Sequence, residues 1–216
     1  ANGRVIQDAL AEHLSNKTRI VSTMLVNGEI GCINDVAKIA RAVKRYAPRA
    51  RHLVDAVQGF GKLPFSVQAL GIDCLSVASH KLHGPKGIGA LWCRHTLRPI
   101  LKGGGQEGGR RGGTQSGPLA WAFAEAYDRQ VTHRAHLESL RDRLWAGLQA
   151  RLPDISLTGP VPGSERVIHN LHVCIPGLPT EPVINALSAA GVYASGGSAC
   201  STGRFSAVLK ALGRRS

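Results

Sequence analysis

Short apolar runs alternate with helical patterns along the first half of the chain, and this alternation limits the fold more than any other feature. Runs of apolar and β-branched residues predict strands at four places: 19–24, 52–55, 74–78 and 89–93. Asn34-Asp35 offers a helix N-cap, and four apolar residues follow on one helical face: Val36, Ile39, Ala40 and Val43. Strands that alternate with helices favour an α/β fold with a mostly parallel sheet.

The second half of the chain begins with a long helical pattern, from Pro118 to about Leu152. Shorter elements are predicted beyond it: a strand near 170–175, a helix near 181–189, a strand near Val192 and a helix near 207–212. A long helix between two α/β segments predicts two domains, which we place at 1–135 and 136–216.

Composition excludes several classes of protein. Hydrophobic residues make up 43% of the 216 residues, which is enough for a core and too much for a disordered chain. No window approaches the roughly 18 apolar residues of a membrane span, and no secretory signal is visible, so we expect a cytoplasmic protein without a membrane partner. The net charge of +13 indicates an anionic partner, such as nucleic acid, a phosphate cofactor or an acidic protein, or else an Arg-rich composition or a fragment whose acidic half is missing. Nucleic acid is disfavoured, because the basic residues form no single tract and are not interleaved with aromatic residues.

The five cysteines form no CxxC pair, which excludes a zinc ribbon and a thioredoxin-type motif. Their wide spacing and the chain length disfavour a disulfide framework, so we expect reduced thiols. Four lie in apolar runs and are predicted to be small core residues: Cys32, Cys74, Cys93 and Cys174. Cys200 differs, since it lies in a flexible Gly/Ser-rich stretch at 195–203.

Polar residues follow two of the predicted strands. Asp55 ends one strand, with Gln58 just beyond, and Ser79-His80-Lys81 follows another. The carboxyl ends of parallel strands form the usual ligand crevice of an open sheet, so these residues could converge on one pocket. A lysine with a neutral amine can form a Schiff base, and a neighbouring carboxylate suits a pyridinium nitrogen. His80 and His83 have no convincing partner ligands, which disfavours a metal site.

Five ordered blocks of the sequence resemble the cysteine desulfurases, which are class V, fold-type I enzymes dependent on pyridoxal phosphate. The blocks are Val26–Gly31, Val54–Gln58, Ser79–Leu91, the glycine run Gly103–Thr114 and Ser195–Thr202. The resemblance covers essentially the whole chain. The Ser-Gly-Gly-Ser-Ala-Cys form points to the group with a long mobile cysteine loop. The resemblance to this family implies that residues 1–135 are the second half of the cofactor-binding large domain and that residues 136–216 belong to a smaller α/β domain.

The resemblance also implies roles for individual residues. Lys81 would bind the cofactor covalently and shuttle the Cα proton, and Cys200 would take sulfur from L-cysteine as a persulfide, leaving L-alanine. The cofactor contacts would come from Asp55 at the pyridine nitrogen, Gln58 at the phenolic oxygen, His80 at the phosphate, Thr114 at the phosphate of a neighbouring subunit, and Asn27 and Ser79. The implied partners are a second copy of the chain and a sulfur-acceptor or iron–sulfur scaffold protein.

The sequence departs from the family pattern at three points. Gly28 replaces an asparagine that contacts the cofactor, and Ala78 replaces a phosphate-binding hydroxyl that Ser79 would have to supply. The chain is about half the family's usual length, and it lacks the segments with the ring-stacking histidine and the arginine for the substrate carboxylate. We therefore expect a fragment that does not turn over cysteine by itself.

Two alternatives to a cysteine desulfurase remain open from the sequence. A selenocysteine lyase would use the same scaffold on a related substrate. A truncated, inactive module that docks sulfur acceptors through the Cys200 loop would bind no cofactor.

Overall fold

The computed structural model describes residues 2–197 and 206–213, and the chain divides into two compact units. The sheet unit comprises Val5–Val26 and Asn34–Ala135. The C-terminal unit comprises Ala1–Arg4, Asn27–Ile33 and the chain from His136 onward. Two short N-terminal segments therefore belong to the C-terminal unit. The domains predicted from the sequence, 1–135 and 136–216, are continuous and do not include this exchange.

The sheet unit is built on four strands. Its elements are α1 (Gln7–His13), β1 (Ile20–Met24), α2 (Val36–Tyr46), β2 (Arg51–Asp55), α3 (Val67–Leu70), β3 (Cys74–Ala78), a 3₁₀ helix (Ser79–Leu82), β4 (Gly89–Cys93), α4 (Gln106–Gly109) and α5 (Gly117–Thr132). The strand order is β1-β2-β3-β4, in which β1, β2 and β3 are parallel and β4 is antiparallel to β3. The predicted α/β fold with a mostly parallel sheet is confirmed. The reversal at β4 follows from its connection, since residues 79–88 are too few for a crossover, which takes about a dozen residues.

Helix α2 covers the sheet with the face that the sequence predicted, because Val36, Ile39, Ala40 and Val43 are all buried. Asp35 caps the helix, and its side chain accepts a hydrogen bond from the backbone N–H of Lys38 at 2.9 Å. The core continues into β1 and the segment after α2 through three more buried residues: Val21, Ala47 and Ala50.

The C-terminal unit has little regular sheet. Its main elements are α6 (Arg134–Arg151, which starts just before the unit), β5 (Ser156–Leu157), β6 (Val173–Cys174), α7 (Thr180–Ala189) and α8 (Ala207–Ala211). The predicted strand near 170–175 shrinks to the two residues of β6. The predicted strand near Val192 is wrong, because Val192 lies in irregular chain and is 52% exposed.

The single long helix predicted from Pro118 to Leu152 is also wrong, since α5 and α6 are separated at His133. The Nδ1 atom of His133 lies 2.7 Å from the backbone oxygen of Arg129, and the hydroxyl of Thr132 donates to the same oxygen at 2.8 Å. Side chains that bond the last carbonyls of a helix stabilise its end. The apolar periodicity continues across the break and so did not reveal it.

The prediction that four cysteines are core residues is correct only for Cys32, which is buried. Cys74, Cys93 and Cys174 are each half-buried. Among the described residues, no helix is long and apolar enough to cross a membrane.

Candidate functional site

Asp55 is the last residue of β2 and is half-buried. One carboxylate oxygen, Oδ1, accepts a hydrogen bond from the backbone N–H of Val57 at 2.9 Å, which fixes the side chain across the turn. In the described parts of the chain, the carboxylate has no cationic partner and its Oδ2 atom accepts no hydrogen bond. Asp55 therefore has a free acceptor at the carboxyl end of a buried parallel strand.

Lys81 lies in the 3₁₀ helix that follows β3 directly. The helix ends at His83, whose φ of 61° lies in the left-handed region, so the chain turns sharply after it. Lys81 and His80 are exposed, and the Lys81 amine makes no hydrogen bond or ion pair with the residues that the structure describes. A free amine thus stands at the end of the strand beside β2.

The register between β2 and β3 brings these two segments together. Asp55 is the partner of Ser76, and the backbone N–H of Ala56 donates to the Ser76 oxygen at 3.0 Å. Because β2 and β3 are parallel neighbours, Asp55 and the Ser79–Leu82 helix occupy the same edge of the sheet. The carboxyl edge of a parallel sheet is where α/β folds bind ligands.

Ser79 differs from its two neighbours in the 3₁₀ helix, because it is fully buried. Its hydroxyl oxygen is buried and has no hydrogen-bond partner among the described residues. A Cβ atom added to Gly84 would lie 2.2 Å from this oxygen, so the close packing of Ser79 requires glycine at position 84. The structure therefore turns Ser79 inward, and does not place it with the exposed His80 and Lys81.

Lys62 is a feature of this region that the sequence did not reveal. It is only 5% exposed. Burial, and to a smaller extent the positive charge of Lys81, lower its pKa to about 8. The preceding residue, Gly61, packs against Leu82 at the end of the 3₁₀ helix. No sequence signal could have found it, since lysines are almost always exposed.

The other predicted site residues are divided between the two units. Gln58 is half-buried in the turn after β2, and Thr114 is exposed just before α5. Asn27 belongs to the C-terminal unit, where its side-chain oxygen accepts from the backbone N–H groups of Glu29 and Ile30 at 3.0 and 3.1 Å. Cys200 lies outside the described residues.

The edge of the sheet has the chemistry that pyridoxal phosphate requires. The cofactor needs an amine for its aldehyde and a carboxylate for its ring nitrogen. The free amine of Lys81 and the unused Oδ2 atom of Asp55 fit these two needs. Fold and site thus define an α/β protein with an amine and a carboxylate at the carboxyl edge of a parallel sheet.

Comparison with known families agrees with this class. Residues 1–213 match the family described as Aminotransferase class-V, so the chain belongs to that family.

Among curated relatives, the chain is 35% identical to a "Cysteine desulfurase" from Nostoc sp., over 99% of the chain and 54% of the relative. It is 39% identical to a "Cysteine desulfurase" from Gluconacetobacter diazotrophicus, over 98% of the chain and 54% of the relative. A solved structure titled "NIFS-LIKE PROTEIN" is similar with a TM-score of 0.85 and 34% identity, over 98% of the chain and 56% of that structure. The chain therefore spans about half the length of the curated relatives it matches.

Proposed function

We propose that this chain carries the lysine and cysteine segments of a cysteine desulfurase, which converts L-cysteine to L-alanine and leaves the sulfur as a persulfide on Cys200. The observation that carries the proposal is the placement of Asp55 and Lys81 at the adjoining carboxyl ends of β2 and β3, where the Lys81 amine and the Asp55 Oδ2 have no polar partner among the described residues. The similarity to proteins named cysteine desulfurase over nearly the whole chain supports the choice of substrate.

The residues that would hold pyridoxal phosphate follow from the site. Lys81 would bind it covalently, and Asp55 would accept a hydrogen bond from its ring nitrogen through Oδ2. We assign Gln58, His80, Thr114 and Asn27 to further cofactor contacts on the basis of the family resemblance. When bound, the cofactor supplies an electron sink for the charge left at the substrate Cα.

The chain's own groups would then do three things. The Lys81 amine removes and returns the proton at the substrate Cα, as a general base and acid. Asp55 holds its carboxylate in a fixed orientation at the strand end, since its Oδ1 accepts a hydrogen bond from the backbone N–H of Val57. The Cys200 thiolate attacks the substrate sulfur, because a thiol in its protonated form is a poor nucleophile. The S–S bond of the persulfide forms as the substrate Cβ–S bond breaks, and the electron pair left on the substrate takes up a proton at Cβ, which gives the methyl group of alanine.

The proposal extends to the setting of the reaction. We assign the sheet unit to a cofactor-binding domain and the C-terminal unit to the smaller domain that carries the Cys200 loop. One partner would be a second copy of the chain, and Thr114 would contact the cofactor phosphate bound by that copy. The other partner would be a protein that accepts sulfur for iron–sulfur clusters or thio-cofactors. We place the protein in the cytoplasm.

The test uses the protein as the cell makes it, supplied with pyridoxal phosphate and L-cysteine. Alanine should form together with a persulfide that peptide mapping places on Cys200, and Cys200→Ser should abolish the persulfide without changing the amount of bound cofactor. Cys174→Ser is the matched control and should retain both products. Absence of alanine, or a persulfide on another cysteine that survives Cys200→Ser, would contradict the proposal.

A further inference from the structure

Strands β3 and β4 place two cysteines directly opposite each other. Cys74 is the cross-strand partner of Cys93 in this antiparallel pair. The next pair outward is hydrogen-bonded, since the backbone N–H of Arg94 donates to the oxygen of its partner Asp73 at 2.8 Å. Hydrogen-bonded and non-hydrogen-bonded pairs alternate along an antiparallel ladder, so the Cys74–Cys93 pair is non-hydrogen-bonded.

This position brings side chains as close as a sheet allows. The Cα atoms of a non-hydrogen-bonded pair are about 4.5 Å apart, whereas disulfide-bonded cysteines have Cα atoms about 4.4–6.8 Å apart. The two thiols lie close enough for Cys93 to help raise the pKa of the Cys74 thiol. The backbone can therefore hold the two sulfur atoms at bonding distance without moving either strand.

The dithiol also lies within reach of small reagents. Cys74 and Cys93 are half-buried, whereas Cys32 is fully buried. Side chains alternate across a strand, so the two thiols lie on the face of the sheet opposite Leu75 and Trp92, which line an apolar cavity. On the face of the two thiols, the neighbouring Leu91 is 56% exposed.

We propose that Cys74 and Cys93 form a redox-active dithiol site that a small-molecule disulfide, such as oxidised glutathione, converts to a cross-strand disulfide. One cysteine thiolate attacks the reagent disulfide, which gives a mixed disulfide and releases one glutathione. The second cysteine then displaces the other glutathione and forms the bond between Cys74 and Cys93. Two protons pass from the two protein thiols to the two released glutathione thiolates, and the two electrons lost by the cysteines reduce the reagent.

The surroundings of Cys74 set the pH at which this site reacts. Burial, the neighbouring Cys93 thiol and the negative charge of Asp73 together raise the pKa of the Cys74 thiol to about 11, and burial contributes most. The guanidinium group of Arg51 opposes them. Because the thiolate is the attacking species, the bond should form faster as the pH rises towards 11.

The bond would enclose the segment that carries the lysine of the proposed site. Residues 75–92 would form a closed loop, and Lys81 lies inside it. The disulfide would link β3, which precedes the 3₁₀ helix, to β4, which follows it. The proposal does not depend on the proposed function, since it rests on the strand register alone.

The test is to equilibrate the protein in glutathione buffers of increasing oxidation and to map its thiols under non-reducing conditions. The expected product links the tryptic peptides 63–81 and 87–94 and disappears on treatment with dithiothreitol. Its formation should be faster at pH 9 than at pH 7. The melting temperature should rise in the oxidised protein, because the closed loop restricts the unfolded chain.

Two variants keep the test decisive. In Cys93→Ser, Cys74 has no partner and should accumulate as a stable mixed disulfide with glutathione, without a rise in melting temperature. Cys174→Ser is the matched control, because Cys174 is also half-buried in a strand but lies opposite Ser156, and its loss should leave the linked peptides unchanged. Stable mixed disulfides on Cys74 and Cys93 of the wild-type protein, or linkage of either to another cysteine, would overturn the proposal.

Discussion

The two units bury their interiors with different chemistry. The sheet unit has strands of five residues and a core of aliphatic side chains, in which Ile39 and Val54 are completely buried. In the described residues of the C-terminal unit the strands have only two residues each, and the largest fully buried side chain is that of Arg166, at 1% exposure. An apolar core needs only burial, whereas a buried guanidinium group needs hydrogen-bond acceptors in fixed positions.

Arg166 obtains those acceptors from two separate segments of its unit. It donates to the backbone oxygens of Thr158 and Pro160 and, at 2.8 Å, to the side-chain oxygen of Asn170. The amide nitrogen of Asn170 in turn donates to the backbone oxygen of Glu29 at 3.0 Å. The arginine thus joins segments that a larger sheet would otherwise hold together. Its environment lowers its pKa to about 10, mainly through burial and also through the charge of Arg141.

The largest effect should come from removing this arginine. Arg166→Ala should lower the free energy of unfolding by about 4 kcal/mol, since it opens a cavity and leaves three acceptors without a charged donor. Urea denaturation measures the loss. Arg166→Met fills most of the space and should still lose more than half of that amount. A Met variant as stable as the wild type would show that packing, and not hydrogen bonding, holds this unit together.

A slightly smaller effect is expected from the core of the sheet unit. Ile39→Ala should lower the free energy of unfolding by about 3 kcal/mol, because it removes a completely buried side chain from the α2 interface. The exposed Arg143→Ala is a control that should change it by less than about 0.5 kcal/mol. A loss below 1 kcal/mol for Ile39→Ala in urea denaturation would contradict the description of this unit as an aliphatic core.

The helix cap should contribute less than either core. Asp35→Ala removes the acceptor for the Lys38 N–H and should cost about 1 kcal/mol. Asp35→Asn keeps an acceptor and should recover most of the loss. Thermal denaturation followed by circular dichroism measures both variants. An equal loss in the two would show that the charge, and not the hydrogen bond, stabilises α2.

The smallest effect should appear as a pH dependence. His52 is buried in β2, its Nε2 atom lies 2.8 Å from the Thr23 hydroxyl, and burial lowers its pKa below 6.5. The unfolded chain therefore binds this proton more readily than the folded protein, so stability should fall as the pH drops below about 6.5. The pKa of Asp73 is also lowered, so its contribution to the stability is lost in a separate pH range, as the pH falls below about 4.

Urea denaturation at pH 7.5 and pH 5.5 should show this loss in the wild type and not in His52→Gln. Equal losses in both proteins would assign the pH dependence to another group.

Sequence was a good guide where burial follows a simple pattern. The apolar runs of β3 and β4 and the apolar face of α2 are found where they were predicted. It was a poor guide to the C-terminal unit, because a charged residue such as Arg166 gives no sign that it is buried. The exposed Val192 shows the opposite error, since an apolar residue was taken for part of a strand.

The same contrast holds for the site. That Asp55 and Lys81 lie at one edge of the sheet could be predicted, because Asp55 ends one apolar strand, Lys81 lies just beyond the next, and parallel strands bring such positions together. Lys62 could not, because its burial depends on how the turn after β2 packs against the 3₁₀ helix. The cross-strand pair of Cys74 and Cys93 was missed for a related reason. The antiparallel direction of β4 was not predicted, and without it the two thiols do not face each other.

The most direct test of the site is to locate the lysine that captures pyridoxal phosphate. Protein treated with a limiting amount of the cofactor, reduced with borohydride and mapped by mass spectrometry should carry the pyridoxyl label on Lys81. Lys81→Ala should lose this label, and Lys86→Ala, which removes another exposed lysine just beyond the 3₁₀ helix, should keep it. A label that remains in Lys81→Ala at the wild-type level, or that the wild type carries on Lys62, would contradict the assignment of Lys81.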